Sequence, residues 1–136
     1  MAVTPNSIVT PQTPRSAMVG LTTGNTNFTT SPTQTQLLLT AGANGARVTR
    51  VQAVPLEQIN AANNIQLYRS TDSGTTKYLC NAVLMVTLSP GAAVANTPTD
   101  FGYSEDNPLI LQANERLYVA EGQTEAVNVV AEYADY

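Results

Sequence analysis

The 136-residue sequence has no histidine, no tryptophan and a single cysteine, Cys80. Histidine is the commonest general base and the commonest metal ligand, so its absence removes most familiar catalytic and metal sites. One cysteine cannot form an intrachain disulfide. Cys80 stands in an apolar, strand-like run, where we expect a buried small hydrophobic residue rather than a nucleophile. We therefore predict no catalytic residue, no metal ligand and no cofactor, and we expect that the protein is not an enzyme.

Charge is also sparse, since only 12% of the residues are charged and the six basic and ten acidic residues give a net charge of -4. Nucleic-acid binding requires clustered cations that displace counterions from phosphates. Here the basic residues are scattered, and only Arg47 and Arg50 lie close together. Nucleic acid and anionic membrane are therefore poor partners. The N-terminus lacks the pattern of a signal peptide, and no apolar run reaches membrane-spanning length, so synthesis in the cytoplasm is expected.

The carboxylates give little indication of a catalytic or metal-binding site. Glu105 and Asp106 are an adjacent acidic pair that could serve glycoside hydrolysis, but a solvated acidic loop is the better interpretation. A weak calcium site that uses Asp100, Glu105 and Asp106 is a minor hypothesis, because calcium accepts loop oxygens. Their spacing matches no known binding loop.

The residues present favour strands joined by tight turns, because threonine, valine and tyrosine suit pleated surfaces while asparagine, glycine and proline suit turns. About eight strands follow one another at short spacing with no internal repeat. This pattern predicts an all-β, antiparallel β-sandwich with a jelly-roll-like topology.

Three hairpins are predicted, with turns at residues 41–45, 72–74 and 112–115, the first because Asn-Gly is a strong hairpin signal. Residues 77–88 resemble a central strand. Residues 132–136 are either the end of an edge strand or an interaction tail, and we favour the first. Valines at positions 48, 51 and 54 fit one strand only if a bulge lies near Thr49 and Arg50. Residues 56–64 could hold a short helical turn.

The first fifteen residues are rich in proline, which forbids a helix and favours an extended chain. We divide the chain into an extended arm, residues 1–15, and a β-sandwich domain, residues 16–136. A frayed terminus is one interpretation, but a solvated tail would have little need of the apolar side chains of Ile8 and Val9. The other is an arm that lies along a neighbouring subunit. Its candidate contact residues are Thr4, Pro5, Asn6, Ile8, Val9, Pro11, Pro14 and Arg15.

Six tyrosines could serve recognition. Tyrosines on a sandwich face could stack on sugars, as in a carbohydrate-binding module, and Tyr68 and Tyr103 are candidates. More often such residues line the core or a protein interface. The lack of tryptophan favours the second interpretation.

Several stretches resemble a family of small proteins encoded by tailed bacteriophages and prophages. The most specific is the Ala-Gly-Ala-Asn-Gly run at residues 41–45, followed by Arg-Val-Thr-Arg-Val at residues 47–51. The Thr-Pro pattern of the N-terminus also resembles this family, as do residues 23–27, 65–68, 108–111 and 125–129.

The resemblance implies a virion component of the capsid decoration, or cement, type. Such a protein binds the outer surface of a phage head and stabilises contacts between major capsid subunits. The expected partner is thus the major capsid protein, the expected state a homo-oligomer (dimer or trimer), and the expected location the capsid surface after synthesis in the host cytoplasm. A tail-fibre or baseplate module and a carbohydrate-binding module remain alternatives.

Overall fold

The computed structural model describes residues 10–136, and over that range it contains nine β-strands and no helix. The all-β prediction is therefore confirmed. The strands are β1 (Thr13–Leu21), β2 (Gln36–Thr40), β3 (Ala46–Pro55), β4 (Asn63–Ser70), β5 (Tyr78–Met85), β6 (Thr99–Asp100), β7 (Leu109–Leu111), β8 (Arg116–Glu121) and β9 (Val127–Asp135).

The strands form two antiparallel sheets. Sheet A has the order β1-β9-β3, and the short strands β6 and β7 both pair along the other edge of β3. Sheet B has the order β2-β8-β4-β5. The predicted sandwich is confirmed, and the alternation of strands between sheets is in keeping with a jelly-roll-like topology. The count exceeds eight because β6, of two residues, lies in a stretch predicted to be loop.

Strand β3 contains the predicted bulge. Val48 and Val51 are both fully buried, although they are three residues apart and should face opposite ways in a regular strand. The register against β9 shifts between Val48 and Arg50, so Thr49 is the extra residue that restores the facing. Together with Leu67, Leu117 and other residues of sheet B, these valines form the core between the two sheets.

The turn at residues 41–45 exists, but the hairpin predicted around it is wrong. Gly45 has a φ of 90° and its N–H donates to the carbonyl of Gly42 at 3.0 Å. However, β2 pairs with β8 in sheet B, whereas β3 pairs with β9 in sheet A. The turn therefore carries the chain from one layer to the other. Local turn chemistry reverses the chain in both cases and does not say which sheet receives the next strand.

The hairpin predicted at residues 112–115 is wrong for the same reason. β7 pairs with β3 in sheet A, and β8 pairs with β2 and β4 in sheet B. The two crossing turns bond to each other, because the N–H of Asn114 donates to Gly42 O at 3.0 Å and that of Ala41 donates to Glu115 O at 2.8 Å. Both crossings thus close the same end of the sandwich.

The hairpin at residues 72–74 is confirmed, since β4 and β5 pair along their whole length. The prediction that residues 77–88 form a central strand is wrong, because β5 lies at the edge of sheet B. Cys80 is consequently exposed, contrary to the expected burial. Residues 56–62 contain no helical turn either. Instead, Ile59 is buried and pairs with Leu88, which anchors this loop to the core.

The terminal strands pair with each other. β1 begins at Thr13, so Pro14 and Arg15 of the predicted arm form part of sheet A, opposite Ala134 and Tyr133. β9 lies between β1 and β3, so the C-terminal residues end a central strand and not the predicted edge strand. Residues 1–9, which make up most of the predicted arm, lie outside the described residues.

Candidate binding surface

An open groove lies at the end of sheet A, where β1 begins and β9 ends. It encloses about 500 Å³ and is formed by the first residues of β1, the bulge of β3, the last residues of β9 and the loop before β7. We call it the sheet A groove. The lining residues are Pro11, Pro14, Arg15, Arg47, Thr49, Glu105, Glu132, Tyr133 and Ala134.

The bulge in β3 determines which side chains reach this groove. In a regular strand, Arg47 and Arg50 would point to opposite faces, because they are three residues apart. The extra residue Thr49 places both arginines on the outer face while Val48 and Val51 stay in the core. The bulge that reconciles the valine spacing therefore also puts Arg47 at the groove and leaves Arg50 exposed outside it.

Each of these arginines has a local acidic or amide partner. Arg47 Nη2 donates to the backbone carbonyl of Glu105 at 2.5 Å and lies 3.6 Å from its carboxylate. Arg50 Nη1 lies 3.8 Å from Glu132 Oε1, and Arg50 donates two hydrogen bonds to the side chain of Gln52. These exposed contacts cost little to break, so the guanidinium groups remain available to a partner.

Asp135 holds the first residues of β1 in place. Its Oδ2 accepts a hydrogen bond from Arg15 Nε at 2.5 Å, and its Oδ1 accepts one from the N–H of Gly42 at 3.0 Å. Its backbone carbonyl accepts the N–H of Gln12 at 2.8 Å. The same carboxylate therefore joins β1 to the crossing turn, and it fixes where the chain before Thr13 leaves the sheet. Burial raises the pKa of the neighbouring Tyr133, so its phenol stays neutral.

The structure brings together only part of the predicted contact set. Pro11, Pro14 and Arg15 line the sheet A groove. Thr4, Pro5, Asn6, Ile8 and Val9 lie outside the described residues. Sequence reasoning did not identify Arg47, Glu132 or Tyr133 as groove residues. The short spacing between Arg47 and Arg50 drew attention to Arg47. No local sequence pattern, however, indicates that β3 pairs with β9.

The acidic loop is solvent-exposed. Asp100 accepts the N–H of Gly102, Glu105 contacts Arg47, and Asp106 is exposed. Within residues 10–136, no three acidic or cysteine side chains come close enough together to hold a metal ion. The calcium hypothesis therefore gains no support from the geometry.

The tyrosine proposed for sugar stacking is covered by protein. Tyr68 is fully buried beneath the loop between β1 and β2, where its hydroxyl donates to Gln66 Oε1 at 2.9 Å and accepts from Asn25 Nδ2 at 3.2 Å. Tyr103 is partly buried, and its hydroxyl accepts a hydrogen bond from Asn81. Tyr68 cannot present its ring to a sugar without displacement of this loop.

Three further groups are relevant to reactivity. Partial desolvation raises the pKa of the Cys80 thiol to about 11, so the thiolate is scarce at neutral pH. Glu121 is fully buried, and burial raises its pKa. Glu115 is also buried, and it forms an ion pair with Arg69 at 2.5 Å. None of the three faces the sheet A groove.

The fold and the groove define a β-sandwich with an open, mixed-charge surface at one end. The protein shares this fold with a chain in the acidic stable capsid structure of Helicobacter pylori bacteriophage KHP30, with a TM-score of 0.53 and 14% sequence identity. The similarity covers 91% of this chain and 88% of that one. The resemblance to phage virion proteins seen in the sequence is therefore confirmed at the level of the fold.

Comparisons by sequence add nothing to this. No protein-family model and no curated protein matches the chain. Within residues 10–136, no helix is long and apolar enough to cross a membrane.

Proposed function

We propose that the protein is a capsid decoration protein, which binds the outer surface of a phage head and stabilises contacts between major capsid subunits. The observation that carries the proposal is the shared fold with a chain of a phage capsid structure, over nearly the full length of both chains. The sequence resemblance to tailed-phage proteins points in the same direction.

The surface supports this proposal, because a decoration protein has to hold a large shell through many small contacts. Many copies that bind one shell can act together even if each contact is weak. The sheet A groove provides an exposed arginine, a half-buried arginine, a partly buried tyrosine and the end of the N-terminal segment at one end of the molecule. Arginine and tyrosine are enriched at protein interfaces.

The proposal assigns no catalytic function to the chain. The sequence has no histidine, and its cysteine has a raised pKa. Glu121, which among residues 10–136 is the one buried glutamate without a cationic partner, is held by amide N–H donors away from the groove. These features favour a structural protein.

The copy number in purified particles tests the location. We expect hundreds of copies per particle by quantitative mass spectrometry against the major capsid protein, because decoration proteins cover the whole shell. A few copies per particle would instead identify a fibre or baseplate module. Gold-labelled antibody should mark the head surface, and label on the tail would contradict the proposal.

The arm prediction is tested on the full chain by the double variant Ile8→Ser and Val9→Ser. We expect it to fold normally and to bind shells more weakly, because these apolar side chains are the ones that a solvated tail does not need. Leu56→Ser is the matched control. Leu56 is an exposed apolar residue that directly follows β3, whereas the sheet A groove lies at the beginning of that strand. Equal shell binding by both variants would show that the arm makes no contact.

A further inference from the structure

The edge of sheet B at β5 is long and unprotected. β5 is eight residues long, and within residues 10–136 it pairs with β4 alone. Exposed edge strands are normally blunted by charged residues, proline, bulges or shortness, because their free N–H and C=O groups attract other strands. β5 contains no proline and no charged residue. Its single irregularity is a bulge at Cys80, which leaves residues 81–85 as a regular edge.

The side chains beside this edge are apolar. Leu79 and Leu84 lie opposite Tyr68 and Asn64, on the face of sheet B that points away from the core. Leu84 is 59% exposed and the following Val86 is 62% exposed. We call the exposed side chains of Leu79, Leu84 and Val86 the β5 stripe. A continuous apolar stripe along an open edge is typical of an interaction surface.

The distribution of charge indicates which kind of partner can bind at the β5 edge. Residues 78–99 contain no charged residue, so all six basic and all ten acidic residues lie outside this segment. Two copies of a chain with a net charge of -4 repel each other over most of their surface. β5 itself adds no charge to that repulsion. A charged peptide would find no oppositely charged side chain within β5.

We propose that β5 is the self-association edge of the protein, at which two copies pair their β5 strands antiparallel about a two-fold axis. Such pairing joins the two B sheets into one continuous sheet and satisfies the open backbone groups of both strands. A two-fold axis brings the same strand against itself, so each β5 stripe meets an equally apolar one. This proposal deepens the proposed function, because it names the surface of the expected homo-oligomer.

The test compares two lysine substitutions on the two long edge strands. Leu84→Lys places a charge in the β5 stripe, and Met18→Lys places the same charge on β1, the edge of sheet A, where Met18 is 67% exposed. Both positions are exposed, so both variants should fold, which circular dichroism and thermal unfolding verify. Sedimentation velocity on the isolated chain should show dimers for the wild type and for Met18→Lys and monomers for Leu84→Lys.

The single cysteine gives a second readout on the otherwise unchanged chain. A spin label on Cys80 should report a single short distance between copies, below about 27 Å, because an eight-residue strand is no longer than that and the two strands overlap. A wild-type monomer, a trimer, or a dimer that survives Leu84→Lys would overturn the proposal, as would dissociation by Met18→Lys. Self-association is measured without shells, so its failure is distinguishable from a failure to decorate them.

Discussion

Two glutamates are buried, one at each end of β8, and their carboxyl groups have different partners. Glu115 precedes β8 and accepts hydrogen bonds from Arg69 at 2.5 and 3.1 Å and from the N–H of Gln112 at 3.0 Å. Glu121 ends β8 and accepts one hydrogen bond from Asn63 Nδ2 at 2.9 Å and one from the N–H of Glu125 at 3.4 Å. Among residues 10–136, no cation pairs with Glu121.

The comparison shows two ways to accommodate a carboxyl group inside a sandwich. At the first end, Arg69 pairs with the buried carboxyl group of Glu115, and the hydrogen bond between them raises the pKa of Arg69. At the second end, burial raises the pKa of Glu121, and the nearby carboxylates of Glu125 and Glu57 raise it further. The stability of the first end therefore depends on Arg69, and the stability of the second end depends on pH.

The largest effect is expected from Arg69→Met. It leaves Glu115 buried without its cation, which should lower the free energy of unfolding by about 3 kcal/mol in urea titrations. Arg50→Met is the control, because Arg50 and Glu132 form an exposed pair worth at most about 1 kcal/mol. If both variants lost the same stability, the ion pair at Glu115 would contribute no more than a surface contact.

A smaller loss is expected from Asn63→Ala at the other end. Asn63 donates to Glu121 and its Oδ1 accepts the N–H groups of Gly122 at 3.1 Å and Gln123 at 2.9 Å. Loss of these contacts in a buried site should cost about 2 kcal/mol. Urea titration measures the loss, and the exposed substitution Asn96→Ala, which removes a single contact to Pro55 O, is the reference. A loss no greater than that of Asn96→Ala would mean that the turn after β8 holds without Asn63.

The smallest effect, and the one that separates the two ends most sharply, is expected from Glu121→Gln. The pKa of Glu121 in the folded state is raised above its ordinary value of 4.5. Below that value the carboxyl is neutral in both folded and unfolded states, so variant and wild type should have equal stability. As pH rises through the raised pKa, the wild type loses stability, because its folded state must ionise a buried group.

Denaturation curves of both proteins between pH 4 and pH 8 measure this difference. The advantage of Glu121→Gln should grow with pH and then level off. A variant that is less stable than the wild type at neutral pH would show that the two hydrogen bonds to the carboxylate outweigh the cost of its burial.

Much of the fold follows from local patterns. The valine spacing in β3 required a bulge, and Thr49 provides it. The Asp-Ser-Gly turn joined two strands that do pair. The turns at residues 41–45 and 112–115 were misassigned as hairpins, because a tight reversal has the same chemistry whether the chain stays in a sheet or crosses to the other one. Whether each turn stays in a sheet or crosses also decides which strands are neighbours, and the observed order leaves β5 at the edge of sheet B.

The lining of the sheet A groove was predictable only where it is local. Proline density and two apolar residues marked the N-terminal segment, and Pro11, Pro14 and Arg15 do line the groove. Glu132 and Tyr133 belong to it only because β9 pairs with both β1 and β3. More than eighty positions separate Arg47 from Glu132 in the sequence, and no short-range pattern reports such a meeting.

The place of β9 between β1 and β3 has a consequence for biosynthesis. A ribosome produces the eight other strands of residues 10–136 before it completes β9, the strand that joins β1 to β3. Until then, β1 and β3 expose edges that nascent chains on the same messenger could bind, and long-range antiparallel pairing is slow. The yield of folded protein should therefore depend on how quickly β9 inserts between β1 and β3.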